Sequence, residues 1–194
     1  MTYFVTDIEA DGPFPGVNAM RSLACAAVSD ALDEVGEFAA NMQPAPGTSP
    51  SPATMAWFER DAPDAWAALQ VDPRPASEVM TAFVRWVETF APPRIFVAHP
   101  VIFDGLWVDH YLATCTDRRL FSYAGHANAL FADGGLDLAS LAMGSLGRSF
   151  IESKRDRLPS ALFEGRGHSH LAVEDARGYA RLLRNLLQRN KSTG

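Results

Sequence analysis

The sequence predicts an α/β domain with a central mixed sheet, antiparallel at its start and parallel later, flanked by helices. Two observations predict it. The opening residues alternate β-forming stretches with turn signals, which suits an antiparallel meander. After a proline-rich break, a short apolar strand lies between segments of helical periodicity. The chain of 194 residues is 47% hydrophobic and 21% charged. That is enough apolar surface for a folded core and argues against wholesale disorder. We expect one domain over residues 1–189 and a frayed tail over 190–194.

The elements follow in order. Tyr3 to Thr6 are β-formers, and Asp11-Gly12-Pro13 is a breaker. Met20 to Ser29 is apolar and small, as a central strand would be, and Glu37 to Met42 reads as a third strand. Gln43 to Pro52 carries four prolines and a glycine and is a loop. Ser51 then caps a helical segment with Met55, Trp57, Phe58 and Trp66. A helix from about Ala76 to Phe90 places Val79, Met80, Phe83, Val84 and Val87 on one face. Arg94 to Ala98 is a short buried strand. The next helix, Val101 to Thr114, is expected to bury Phe103, Leu106, Trp107, Tyr111 and Leu112. A further helix covers Asp137 to Leu146, with Asp137 as its cap or structural partner. Lys154 to Gly167 is polar and reads as a mobile loop, and the last helix runs from about Leu171 to Gln188.

Charge and cysteine usage narrow the function classes. The net charge is −6, whereas a protein that holds duplex DNA by its general charge is usually basic. A nucleic-acid partner would have to be gripped locally, by bound cations and a few basic side chains. Cys25 and Cys115 belong to no C-x-x-C pair and read as reduced thiols of a cytoplasmic protein. No apolar run is long enough to span a membrane, and we expect no membrane partner.

Three groups of carboxylates carry the chemistry. Asp7 and Glu9 are separated by one residue, so on an extended strand both point to one face while Ile8 turns into the core. Paired carboxylates repel and lose solvation unless a cation lies between them. Mg²⁺ or Mn²⁺, which take oxygen ligands, would serve. Alone the pair could equally be a solvated strand end. The second group is Ala98-His99-Pro100-Val101-Ile102-Phe103-Asp104, where a buried strand ends and Asp104 falls on the first turn of a helix. Ligands gather where such strands end, although Asp104 could simply favour the helix dipole. In the third, His170 precedes the last helix and Asp175 follows five residues on. Glu174 points elsewhere on that helix and reads as solvated.

In this order and with these separations, the three groups resemble the three motifs of the DEDDh family of 3′–5′ exonucleases. The likeness covers residues 3 to about 187. Asp7-Ile8-Glu9-Ala10-Asp11-Gly12-Pro13, the Thr54-Met55-Ala56-Trp57-Phe58 helix and the late His-Asp pair are most similar to small bacterial 3′–5′ exoribonucleases. Two positions differ from many relatives: Pro100 stands where they have Asn, and Asp11 where they have a small polar residue.

The resemblance implies a ribonuclease H-like fold and hydrolysis of terminal phosphodiesters to nucleoside monophosphates by two divalent ions, Mg²⁺ or Mn²⁺. It implies Asp7, Glu9, Asp104 and Asp175 as metal ligands, with Asp7 bridging, and His170 as general base. His168 competes by sequence alone, but the five-residue offset to Asp175 selects His170. Ala10, Asp11, Gly12 and His99 are the expected substrate contacts, although His99 also reads as a satisfied strand-end histidine and Gly12 as an ordinary turn. Trp57, Phe58 and Trp66 read as core or as base-stacking residues. Lys154, Arg155 and Arg157 read as phosphate contacts or as solvated loop cations. The substrate is expected to be a single-stranded RNA or DNA 3′ end, with RNA slightly favoured. The protein could be a monomer or, as relatives often are, a homodimer. Two other functions stay open: an inactive module that binds nucleic acid or protein, and a metal hydrolase of small phosphate esters.

Overall fold

The computed structural model of the chain describes residues 1–122, 128–132 and 134–193. The β-forming residues at the start make β1 (Thr2–Ala10), which runs through the D-x-E pair instead of stopping at Thr6. β2 (Met20–Ser29) follows as expected, and β3 (Glu34–Asn41) starts three residues earlier than the sequence suggested. With β4 (Arg94–Ala98) and the two-residue β5 (Leu136–Asp137) they form one sheet in the order β3-β2-β1-β4-β5. β1 pairs antiparallel with β2 and parallel with β4, and β5 is parallel to β4. The mixed sheet is therefore antiparallel first and parallel later, as predicted.

Alternation along β1 builds a core on each side. Phe4 and Ile8 join Phe96, Phe83, Met80 and Trp107 on one face, under α3 (Ala76–Glu88) and α4 (Val101–Cys115). Val5 joins Val97, Leu138, Tyr179 and Leu183 on the other, under α5 (Leu138–Leu146) and α6 (Ala172–Thr193). Burying two faces in this way is what lets a central strand be almost wholly apolar. The five apolar residues assigned to the buried face of α3 are all buried.

Several expectations are corrected. The helical segment after Ser51 is two helices, α1 (Pro52–Asp61) and α2 (Pro63–Leu69), because Pro63 has no amide hydrogen to continue the first. Ser51 does cap α1, accepting from the Thr54 amide. In α4, Phe103 and Leu106 are exposed, and the buried stripe is Asp104, Trp107, Val108, Tyr111 and Leu112. The helical phase that buries Asp104 and Gly105 turns Phe103 and Leu106 outward. Residues 154–167 are not a bare loop. They form 3₁₀ turns at Arg155–Arg157 and Ser160–Phe163, anchored by buried Leu158 and Phe163. α6 extends past Gln188 to Thr193, so residues 190–193, expected as a tail, continue the helix.

Candidate metal-dependent active site

The sheet topology positions the first two acids. β4 pairs with β1 only from Thr2 to Val5 and then ends at Ala98. β1 continues beyond it, so Asp7 and Glu9 project past the carboxyl end of the neighbouring parallel strand. Both lie on the same side of β1 as Val5, towards α6. Ile8, between them, is buried in the opposite core, as the alternation required.

Small residues bring in the third acid. Ala24 of β2 packs against Ala172 and Ala176 of α6, so the first turn of that helix lies close against the sheet. This sets Asp175 over the strand acids. One carboxylate oxygen each from Asp7, Glu9 and Asp175 lies within 4.8 Å of the others. Asp104 comes from the other side, on the first turn of α4, and is 3% exposed.

The electrostatics of this cluster are adverse without a cation. Burial, and then the charges of Asp104, Glu9 and Asp175, hold the Asp7 carboxyl well above its usual range. Glu9 is raised by burial and by Asp175 and Asp104. Burial pushes Asp104 up to about 7, against hydrogen bonds from the Ile8 and Asp104 backbone. Asp175 accepts the Ser169 amide on Oδ1 at 3.1 Å, while its buried Oδ2 has no hydrogen-bond partner among the described residues. Hard oxygen donors, mutual repulsion and an orphaned carboxylate oxygen together fit divalent cations such as Mg²⁺ or Mn²⁺.

The two late histidines take different places. His168 Nε2 is 3.6 Å from Asp175 Oδ2, and burial lowers its basicity although Asp175 opposes the effect. His170 has a left-handed backbone, φ 57°. Its ring lies edge-on to Trp57 at 4.7 Å and 4.1 Å from the His168 ring, centroid to centroid. Strained backbone of this kind gathers at functional sites. Trp57 and Trp66, half-buried, and Phe58, buried, form a small apolar cluster with Leu171 beneath the histidines. Glu174 is turned away from the acids and paired with Arg166 and Arg177.

The expected substrate contacts are held by the fold itself. Asp11 is buried, accepts the Ala19 amide at 2.7 Å and lies 3.6 Å from the Arg21 guanidinium. A Cβ on Gly12 would stand 2.2 Å from Asn18 Cγ, so this glycine is required for the loop to close. Ala10, at the end of β1, is half-buried beside the apolar core. His99 Nε2 accepts the Arg155 amide at 3.0 Å, and its ring meets Tyr179 edge-on at 5.4 Å. Asp137 accepts the amides of Ser140 and Val101, capping α5 and tying it to the start of α4.

Sequence reasoning missed one residue at the site, Tyr179, and left another, Arg155, between a phosphate contact and a solvated loop cation. Tyr179, four residues after Asp175 on α6, shares its face, and Asp7 and Asp175 are among the charges that add to its burial in raising its phenol. The i, i+4 spacing was the available signal. Arg155 turns inward over Phe163, at 4.1 Å from the ring centroid. The apolar Leu158 and Phe163 in an otherwise polar stretch were the sign that this segment packs down.

No protein-family model matches the chain, and no curated protein matches its sequence. Solved structures do match. A full-length 3′-exonuclease aligns with a TM-score of 0.67 at 11% identity, over 97% of this chain and 82% of that one. The nuclease domain of 3′hExo, a DEDDh family member bound to rAMP, gives 0.66 at 11% identity, over 96% and 92%. Exonuclease I of E. coli in complex with a dA16 oligonucleotide gives 0.66 at 16% identity, over 98% of this chain and 42% of that one. The chain thus has the ribonuclease H-like fold of the DEDDh exonucleases, as the motif resemblance implied.

Proposed function

We propose that this protein is a 3′–5′ exonuclease of the DEDDh type that shortens single-stranded nucleic acid from its 3′ end to nucleoside monophosphates. The observation that carries the reading is the meeting of Asp7, Glu9 and Asp175 within 4.8 Å, with buried Asp104 beside them, on a fold shared with such enzymes. Asp7, Glu9, Asp104 and Asp175 would hold two divalent ions, Mg²⁺ or Mn²⁺. Bound there, the ions would supply an activated water and stabilise charge on the attacking and leaving oxygens.

The chain's own groups would do the rest. A histidine takes the proton of the attacking water as its oxygen bonds to the terminal phosphorus. The bond from phosphorus to the 3′ oxygen of the preceding nucleotide breaks, and that oxygen leaves as a hydroxyl after taking a proton from solvent water. We assign the base to His170 by its offset from Asp175. His168 is a second reading, favoured by its 3.6 Å approach to Asp175. A neutral imidazole is a general proton acceptor. Backbone at Ala10, Asp11 and Gly12 would receive the terminal nucleotide, while His99 shapes the wall. Ile102 and Phe103, exposed on the turn that carries Asp104, suit contact with bases. The sequence likeness favours RNA over DNA. Among the described residues no helix is long and apolar enough to cross a membrane, and the free thiols of Cys25 and Cys115 suit a reducing cytoplasm.

The test is to incubate the protein with 5′-labelled single-stranded RNA and DNA of one sequence, in Mg²⁺, Mn²⁺ or EDTA. A metal-dependent ladder shortening from the 3′ end, absent in Asp7→Ala, is expected, faster on RNA. Cleavage of a nucleotide ester with no oligonucleotide cleavage would instead identify a phosphoesterase of small substrates.

A further inference from the structure

Arg155 is an unusual arginine in this chain. Arg119, Arg177 and Arg181 each hold a carboxylate, and so does the buried Arg21. Arg155 forms no ion pair among the described residues, and its buried Nε and Nη2 have no hydrogen-bond partner there. Arg118 and Arg184 also bury an Nε without a hydrogen bond, but Arg118 pairs with Glu88 and Asp117 and Arg184 with Glu34. Buried donors left unsatisfied are unfavourable. A guanidinium kept in that condition is poised for an acceptor that arrives from outside.

Its position is fixed from three sides. The Arg155 amide donates to His99 Nε2 at 3.0 Å, which ties the 3₁₀ turn to the end of β4. The guanidinium lies over Phe163 at 4.1 Å and over Tyr179 at 5.4 Å. Its charge is felt by Asp7, and also by His99, His168 and Tyr179. The group therefore borders the carboxylate cluster without being consumed by it.

Charge bookkeeping says what it would bind. Four carboxylates would balance the charge of two divalent ions, so the site as a whole would carry no net positive charge towards a phosphodiester. One further fixed cation supplies that charge, and a guanidinium fork matches two phosphate oxygens. We propose that Arg155 is a catalytic residue that donates to the non-bridging oxygens of the scissile phosphate, an assignment that rests on the exonuclease reading.

The test uses the full chain with Mn²⁺ and a 5′-labelled single-stranded oligonucleotide at single turnover. Arg155→Met keeps the stem on Phe163 and removes the donors. Its rate is expected to fall about 100-fold, the scale set by loss of one preorganised donor to a reacting group. The rise in melting temperature on adding Mn²⁺ is expected to match the wild type. Arg155→Lys keeps a point charge without the fork and is expected to lose about tenfold. It decides the matter if the Met variant does not fold. A rate within about threefold of an active wild type, in either variant, overturns the assignment. A lost rate accompanied by a lost Mn²⁺ response overturns it too, by making Arg155 a support for the acids. A wild type that cuts neither RNA nor DNA overturns the exonuclease reading and takes this assignment with it.

Discussion

Replacing Asp104 by asparagine should stabilise the metal-free protein, and most strongly at high pH. The buried Asp104 carboxyl is pushed from 3.8 up to about 7. At about 1.4 kcal/mol per pH unit, that is roughly 4 kcal/mol of differential stability. The folded value lies above the unfolded one, so the folded state holds the proton more tightly. The resulting stability is complete below about pH 4 and is lost as the pH rises through about 7. Asparagine keeps an acceptor for the Ile8 and Asp104 amides and carries no charge at any pH. For a chain of this length the gain at pH 8 should be of order 10 °C in melting temperature, and less than half of that at pH 5. The assay is thermal unfolding in EDTA from pH 5 to 8, repeated with Mn²⁺. With Mn²⁺ the wild type should recover much of the loss at pH 8 and Asp104→Asn should recover less. A variant that loses the same stability at pH 5 and pH 8 would refute the reasoning, because Asp104 would then be an ordinary structural partner.

Other predictions concern the ligands, the loop and the base. Asp7→Ala and Asp175→Ala should each abolish the Mn²⁺-induced rise in melting temperature, read by the same unfolding scan, since each removes an oxygen from the 4.8 Å cluster. Gly12→Ala should destabilise the protein by about 1–3 kcal/mol in urea unfolding, because the new Cβ stands 2.2 Å from Asn18 Cγ. His170→Asn should lower the single-turnover rate about 100-fold or more and His168→Asn much less. The reverse order of effects would move the base to His168.

The fold was legible where periodicity was strong. The stripe Val79, Met80, Phe83, Val84 and Val87 defines α3, and the D-x-E alternation places two acids on one face of β1 and Ile8 on the other. β5 left no signal, because two residues, Leu136 and Asp137, cannot show a period and are strand only by pairing with Val97 and Ala98. The phase of α4 was misjudged for a physical reason. Counting apolar residues put Phe103 and Leu106 inside, but the buried stripe is occupied at one position by Asp104. A helix that delivers a charged group to an interior site violates amphipathicity at that residue. The candidate site shows the same division. The four acids were brought forward by the resemblance of three spaced motifs taken together to a known family, whereas the contacts of His168 and Arg155 depend on a left-handed turn at His170 and on Phe163 seating the 3₁₀ turns. Those are tertiary effects with only faint local signatures.

The most direct measurement is the polarity and product of cleavage. The protein would be given a single-stranded RNA labelled separately at its 5′ and 3′ ends, in Mg²⁺ and in Mn²⁺, and the released species identified by mass. Immediate release of the 3′ label as a nucleoside 5′-monophosphate, a 5′-labelled ladder that shortens one nucleotide at a time, and silence in EDTA are the predicted result. Internal cuts, release from the 5′ end, or undiminished cleavage by Asp7→Ala would contradict the account.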